Sequence, residues 1–266
     1  MEGRAMQKPS IATVEPGPRA LVTAGAAGIG RAIAERLAEA GARLWVRDVD
    51  EGALGSCREA HPDWGHTQCD VADPEMLGRM FEELAAAWGG LDVLVNNAGI
   101  AGPTKPIEEI SVEEWRRTIE INLNGMFYCS RLAVPHLKAS QGVMINMSSV
   151  AGRLGYALRA PYSASKWAVV GPAKSLAKKL GPHGVRVNVI LPGLVAGPRI
   201  EGVIRARAEA AGVPYAEMED RYKKYASLAR MVAADDVAAT AVFLCGPGGY
   251  NVSGQALSVC GDVRTI

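Results

Sequence analysis

Tyr162 and Lys166 stand four residues apart in the segment YSASK, a spacing that projects both side chains from one face of a helix. A free tyrosine has a pKa of about 10, so appreciable phenolate near pH 7.5 needs a drop of about 2.5 units, roughly 3.4 kcal/mol. An ammonium about 4 Å away supplies roughly 4 kcal/mol at an effective dielectric of 20, so the magnitudes match. Such a phenol takes a proton from an alcohol and, in reverse, returns one to a carbonyl. The pair alone is a weak signal, because about one chain in four of this composition holds a Tyr-x-x-x-Lys by accident. Position strengthens it. Val143–Met147 reads as a strand ending in Ser148-Ser149, which puts a hydroxyl at the carboxyl edge of a sheet, where α/β proteins bind ligands. Ser149 is the candidate to hold a substrate oxygen, and Ser148 reads as a turn residue.

A second set of residues fits dinucleotide binding. Ala20–Thr23 runs into Ala24-Gly25-Ala26-Ala27-Gly28-Ile29-Gly30 and then an amphipathic helix, the strand, glycine turn and helix of a pyrophosphate cradle. Glycines let the backbone approach phosphate closely, and the helix N-terminus offers free N–H groups and the positive end of its dipole. Gly25, Gly28, Ile29 and Gly30 are therefore expected to bind the cofactor. Asp48 ends the second strand 18 residues after Gly30, near the spacing at which a carboxylate accepts from the adenosine ribose hydroxyls and repels a 2′-phosphate. This favours NAD over NADP, with Arg47 beside it offsetting part of the repulsion. Asp70 and Val71 follow a third strand, with Asp70 placed to meet an adenine amino group. Asn97, Ala98 and Gly99 follow a fourth and are small enough to approach the cofactor closely.

These residues must be held by alternating strands and helices. Short β-rich runs at Ala20–Thr23, Arg43–Val46, Leu91–Val95, Val143–Met147 and Val185–Leu191 alternate with helical patterns, which implies parallel βαβ units. Asp73-Pro74 caps one helix, and Ser111 with Glu114 opens a long one running towards Leu137. Residues 1–17 read as a flexible leader and 18–266 as a single domain. Residues 199–231 break the rhythm with charged and small residues, so this excursion is a candidate lid.

Composition bounds the rest. Among 266 residues, 29 Lys+Arg balance 28 Asp+Glu, so no global field steers the chain onto nucleic acid or an anionic membrane. No hydrophobic run suits a membrane-spanning helix, and the N-terminus lacks the apolar segment of a secretory signal, so the cytoplasm is the expected compartment. Five cysteines without a CxxC pair suit reduced thiols. Cys57, His61, His66 and Cys69 could ligate zinc, but their spacing matches no familiar finger, so no metal site is expected.

Together these motifs resemble the short-chain dehydrogenase/reductase family from about Arg19 to Val263. TAGAAGIG looks like its cofactor turn, NNAG its fourth-strand motif, and Ser149 lies 13 residues before Tyr162, as in the family. The resemblance implies a single Rossmann-type, doubly wound parallel sheet with helices on both faces, and a catalytic tetrad of Asn122, Ser149, Tyr162 and Lys166. In that tetrad Ser149 steadies the substrate oxygen, Tyr162 exchanges the proton, Lys166 holds the ribose, and Asn122 holds a water that links Lys166 to solvent. The segment ILPGLVAGP places Pro192, Gly193 and Val195 at the nicotinamide carboxamide. Helices containing Met126 and Trp167 are expected to pack across subunits of a homotetramer.

Four positions depart from the family pattern: Ala24 replaces the first glycine of the turn, Gly197 a threonine, Cys260 lies where an acidic residue is common, and Pro172 falls inside a helix, where a kink is expected. Arg153, Arg159 and Arg199 fall on segments that rim the reaction site and could attract a substrate carboxylate or phosphate. Tyr156, Leu158 and Val203 are candidate pocket walls. The leading reading is an NAD-dependent enzyme interconverting a secondary alcohol and a ketone. Its rivals are an NADPH-dependent carbonyl reductase of 3-oxoacyl type and a nonenzymatic dinucleotide sensor.

Overall fold

Strands whose side chains are apolar on both faces need a layer of helices on each side, and the chain supplies both. In the computed structural model, which describes residues 17–264, seven strands pair in parallel in the order β3-β2-β1-β4-β5-β6-β7. They are β1 (Arg19–Thr23), β2 (Arg43–Asp48), β3 (Gly65–Gln68), β4 (Val93–Asn96), β5 (Val143–Met147), β6 (Arg186–Pro192) and β7 (Ala256–Val259). Except for Gly17, the expected leader lies outside the described residues.

Alternate residues of each strand feed opposite layers. Ala20, Val22, Val46, Val95 and Ile145 pack beneath α1 (Gly28–Glu39), α2 (Glu51–Ala60) and α9 (Ala234–Cys245). Leu21, Leu94, Met144 and Val189 pack against α3 (Pro74–Trp88), α5 (Gly125–Ser140) and α6 (Ala160–Leu180). Asp73 caps α3 through the N–H groups of Glu75 and Met76, and Ser111 and Glu114 form a capping box at α4 (Val112–Ile119), as their spacing predicts.

The long helix expected from Ser111 to Leu137 is interrupted. Between α4 and α5, residues Glu120–Asn124 take a π-helical turn that widens the helix by one residue. The Asn122 side chain accounts for its placement: Oδ1 accepts the Ile100 N–H at 2.8 Å, and Nδ2 donates to the Ile100 carbonyl and the Ser165 hydroxyl, both at 3.0 Å. Helical periodicity cannot foretell such a tie. Pro172, by contrast, leaves α6 unbroken and sits on its exposed side.

The excursion after β6 contains α7 (Pro198–Ala211) and α8 (Tyr215–Lys223), packed about a small core of Leu194, Ile204, Ala208, Met218 and Tyr222. Its two ends meet at a neck, where the Ala196 N–H donates to Val232 and the Val232 N–H donates back to Leu194, at 2.9 and 2.8 Å.

Candidate active site

The carboxyl ends of the strands open into a cleft of about 520 Å³. At its floor β1 turns into α1 through residues with distinct tasks. Gly28 lines the cleft in a left-handed conformation, φ 54°, with open space where a Cβ would point. Gly25 and Gly30, also expected at the cofactor, are not among the residues that line the cleft. Gly30 is instead a packing position, where an added Cβ would come within 2.0 Å of the Ala24 carbonyl oxygen. Ala24 itself adopts φ 50°, the conformation that a glycine there would hold without strain. No side chain caps α1, and Gly28 and Ile29 at its start face the cleft. A helix N-terminus of this kind is fitted to an anion.

Asp48 and Asp70 reach the same cleft from the ends of β2 and β3, together with Val71. Asp48 accepts the N–H groups of Ala26 and Val49, at 3.3 and 2.8 Å, which ties the end of β2 to the glycine turn. Arg47 is buried, and donates from Nη1 to the Cys69 carbonyl while Nε has no partner among the described residues. Beyond β4, Asn97, Ala98 and Gly99 line the wall. No motif signals how they are held: the Thr23 hydroxyl accepts the N–H groups of Asn97 and Ala98, at 2.9 and 3.0 Å.

Ser149, Tyr162 and Lys166 line the same cleft. Ser149 accepts the Ala151 N–H at 3.2 Å, fixing the turn that follows β5. Ser148 points inward and donates to the Lys166 carbonyl at 2.7 Å, the structural part expected of it. The Lys166 ammonium donates to the Met147 carbonyl at 3.0 Å and lies 5.8 Å from the centre of the Tyr162 ring. Lys166 is buried without an acidic neighbour, and desolvation, aided by the Arg199 cation, pushes its pKa down to about 7. The backbone comes close here: a Cβ on Gly99 would stand 3.1 Å from Asn122 Oδ1 and 3.3 Å from Lys166 Nζ.

Asn122, expected to hold a water that links Lys166 to solvent, has its side chain tied to protein groups. Its carboxamide does not line the cleft, being committed to Ile100 and Ser165, so the side chain clamps the backbone beside the site. Ser165, which lies inside YSASK yet is singled out by no spacing rule, completes the clamp and donates to the Tyr162 carbonyl at 2.7 Å.

Pro192, Gly193 and Val195 line the cleft at the end of β6, as do Gly197 and the start of α7. Gly193 lies against Cys260, whose Cβ would be 2.7 Å from any Cβ added there. The excursion leans on both walls: Arg199 donates to the Gly99 carbonyl at 2.9 Å, and Arg207 to the Ala157 carbonyl at 3.3 Å. Tyr156, Arg159, Arg199 and Val203 line the cleft, whereas Leu158 is exposed and absent from its wall, and Arg153 bonds Ser258 outside it. Cys57 and Cys69 pack in opposite layers of the sheet, and among the described residues no three or more His, Cys, Asp or Glu come together to hold a metal ion.

A family model described as Enoyl-(Acyl carrier protein) reductase matches residues 24–262. Among known proteins, the chain is 37% identical over 252 residues to a cis-4-hydroxycyclohexanecarboxylate dehydrogenase of Sinomonas cyclohexanicum, covering 93% of this chain and 96% of that one. It is 35% identical over 248 residues to a sorbitol dehydrogenase of Cereibacter sphaeroides, covering 92% and 96%. A crystal structure of a single-site variant of the actinorhodin polyketide ketoreductase with NADPH superposes with a TM-score of 0.88 at 33% identity, covering 93% of this chain and 97% of that one.

Proposed function

The chain belongs to the short-chain dehydrogenase/reductase family, and from that premise we propose that it interconverts secondary alcohols and ketones with NAD, using Tyr162 as the proton-exchanging group. It is an oxidoreductase of alcohols served by a nicotinamide dinucleotide. The observation that carries the finer reading is the meeting of Ser149, Tyr162 and Lys166 in the one cleft that also receives the uncapped start of α1.

The residues present suit the dinucleotide. Gly28 and Ile29 would hold its pyrophosphate at the helix N-terminus, and Asp48 would accept from the adenosine ribose hydroxyls. Asp70 and Val71 would flank the adenine, while Asn97, Ala98, Gly99, Pro192, Gly193 and Val195 would enclose the nicotinamide half. When bound, the cofactor supplies the hydride acceptor or donor. The chain's own residues then manage the proton and the oxygen. Ser149 donates to the substrate oxygen, and Tyr162 takes the hydroxyl proton or, in reverse, returns it. Lys166, its pKa lowered by burial to about 7, stands beside the phenol and can take up and pass on a proton. Asn122 keeps the Gly99–Ile100 backbone in place against Lys166.

The cofactor preference rests on Asp48. Wild type should turn over alcohols with NAD far better than with NADP, and Asp48→Ala should narrow that ratio by on the order of tenfold or more, the worth of a lost charged hydrogen bond. A specific observation favours the second reading, an NADPH-dependent reductase: Arg47 lines the cleft, its Nε has no partner among the described residues, and the superposing ketoreductase holds NADPH. Wild-type preference for NADPH would decide for it.

We place the protein in the cytoplasm, in keeping with its five free thiols, and assign α7 and α8 as a lid moving about the Ala196–Val232 neck. We also place a tetramer contact on α5 and α6, the helices of Met126 and Trp167, where Phe127 and Trp167 are exposed and Met126 is buried in the single chain.

A further inference from the structure

Arg159 immediately precedes α6 and is only 4% exposed. No carboxylate among the described residues pairs with it. Its Nη2 donates to the Ala101 carbonyl at 2.7 Å, and Nε is buried with no partner among the described residues. The rings of Tyr156 and Tyr162 flank the guanidinium, their centres 5.1 and 4.9 Å from Cζ, a cation–π setting that offsets only part of the desolvation. A buried cation without a counter-ion is costly to a fold, and arginine cannot escape by losing its proton.

The backbone holds this side chain in place. Leu158, just before it, adopts a left-handed φ of 63° and gives its carbonyl to the Lys105 N–H, while the Arg159 N–H goes to the Tyr156 carbonyl. Arg159 lines the same cleft as Ser149 and Tyr162. The acidic residues of that cleft are Asp48 and Asp70, which stand at the ends of β2 and β3. The reaction end therefore presents Arg159, Arg199 and Lys166 with no acid among them.

We propose that Arg159 receives a carboxylate of the substrate, so that the enzyme's substrates are hydroxy acids and the matching oxo acids. This rests on the dehydrogenase reading above and adds the substrate class. The planar guanidinium fork fits a carboxylate through two parallel hydrogen bonds. Anchored there, the substrate brings its carbinol to Ser149 and Tyr162, whose ring is in contact with the same guanidinium. The relatives leave the question open, one being named for a hydroxy acid and another for a neutral polyol.

The test compares cis- and trans-4-hydroxycyclohexanecarboxylate with their carboxamides and with cyclohexanol, with NAD in excess, on the whole chain. The expected kcat/KM for at least one acid is on the order of 10- to 100-fold above that of its amide, the worth of hydrogen bonds to a charged group. In Arg159→Gln this acid-to-amide ratio should fall towards one, and in Arg159→Lys, which keeps the charge but not the fork, it should fall part of the way. Calorimetric binding of cyclohexanecarboxylate against cyclohexanecarboxamide gives a readout without turnover, and wild type should bind the acid more tightly by a similar factor. Equal handling of acid and amide by wild type, or a preference that survives Arg159→Gln, overturns the assignment. Oxidation of cyclohexanol and amide as readily as the acid refutes only the substrate class. If no alcohol is oxidised yet the acid binds through Arg159, the dehydrogenase reading fails while the anion site stands.

Discussion

Lys166 shows how burial tunes a group that sequence can only nominate. Helical spacing alone makes it an ammonium acting across about 4 Å. In the fold its Nζ lies 5.8 Å from the Tyr162 ring centre, donates to a backbone carbonyl, and has its pKa driven to about 7 by desolvation. The folded value lies below the 10.5 of a free lysine, so the native state disfavours the charged form. Its burden on stability is full below pH 7 and fades as pH rises from there towards 10.5. Unfolding in urea at pH 6.5, 8 and 9.5 should therefore show wild type gaining stability relative to Lys166→Met, by on the order of 3 kcal/mol over that range. Parallel stability curves for the two proteins would refute the depressed pKa.

At the scale of elements, the glycine turn divides its residues between the cleft wall and packing. The motif names Gly25, Gly28 and Gly30 together, but among these only Gly28 faces the cleft. Gly30→Ala should destabilise the protein by more than about 2 kcal/mol, because the new methyl meets the backbone of Ala24 rather than a side chain that could move. Thermal unfolding reads this directly, and a change of less than about 0.5 kcal/mol would contradict the close approach. Much of the architecture was legible: five strands, the caps at Asp73 and Ser111, and the two-layer burial follow from apolar runs and capping chemistry. The short edge strand β7 and the π turn were not. Both depend on partners distant in sequence, β6 for the first and Ile100 with Ser165 for the second. Motifs named most of the residues that line the cleft, whereas the Thr23 ties and the buried state of Arg159 emerge only when separate segments are brought together.

Over the whole molecule, one sheet edge gathers residues from the ends of β1 to β6, and the α7–α8 excursion spans the opening from Gly99 to Ala157. No helix of the described residues is long and apolar enough to cross a membrane. The outer faces of α5 and α6 carry Phe127 and Trp167, 55% and 53% exposed in the single chain, more apolar surface than a charged, solvated face would show. Light scattering should give a mass near four times 28.0 kDa, and Trp167→Glu should lower it; a mass of one chain would refute the proposed tetramer.

The proton exchange assigned to Tyr162 is tested most directly by single-turnover hydride transfer, followed at 340 nm, in wild type and Tyr162→Phe with saturating alcohol and NAD. The rate should fall on the order of 10²- to 10⁴-fold in the variant, with the fold and dinucleotide binding retained. An undiminished rate in Tyr162→Phe would show that the phenol does not exchange the proton.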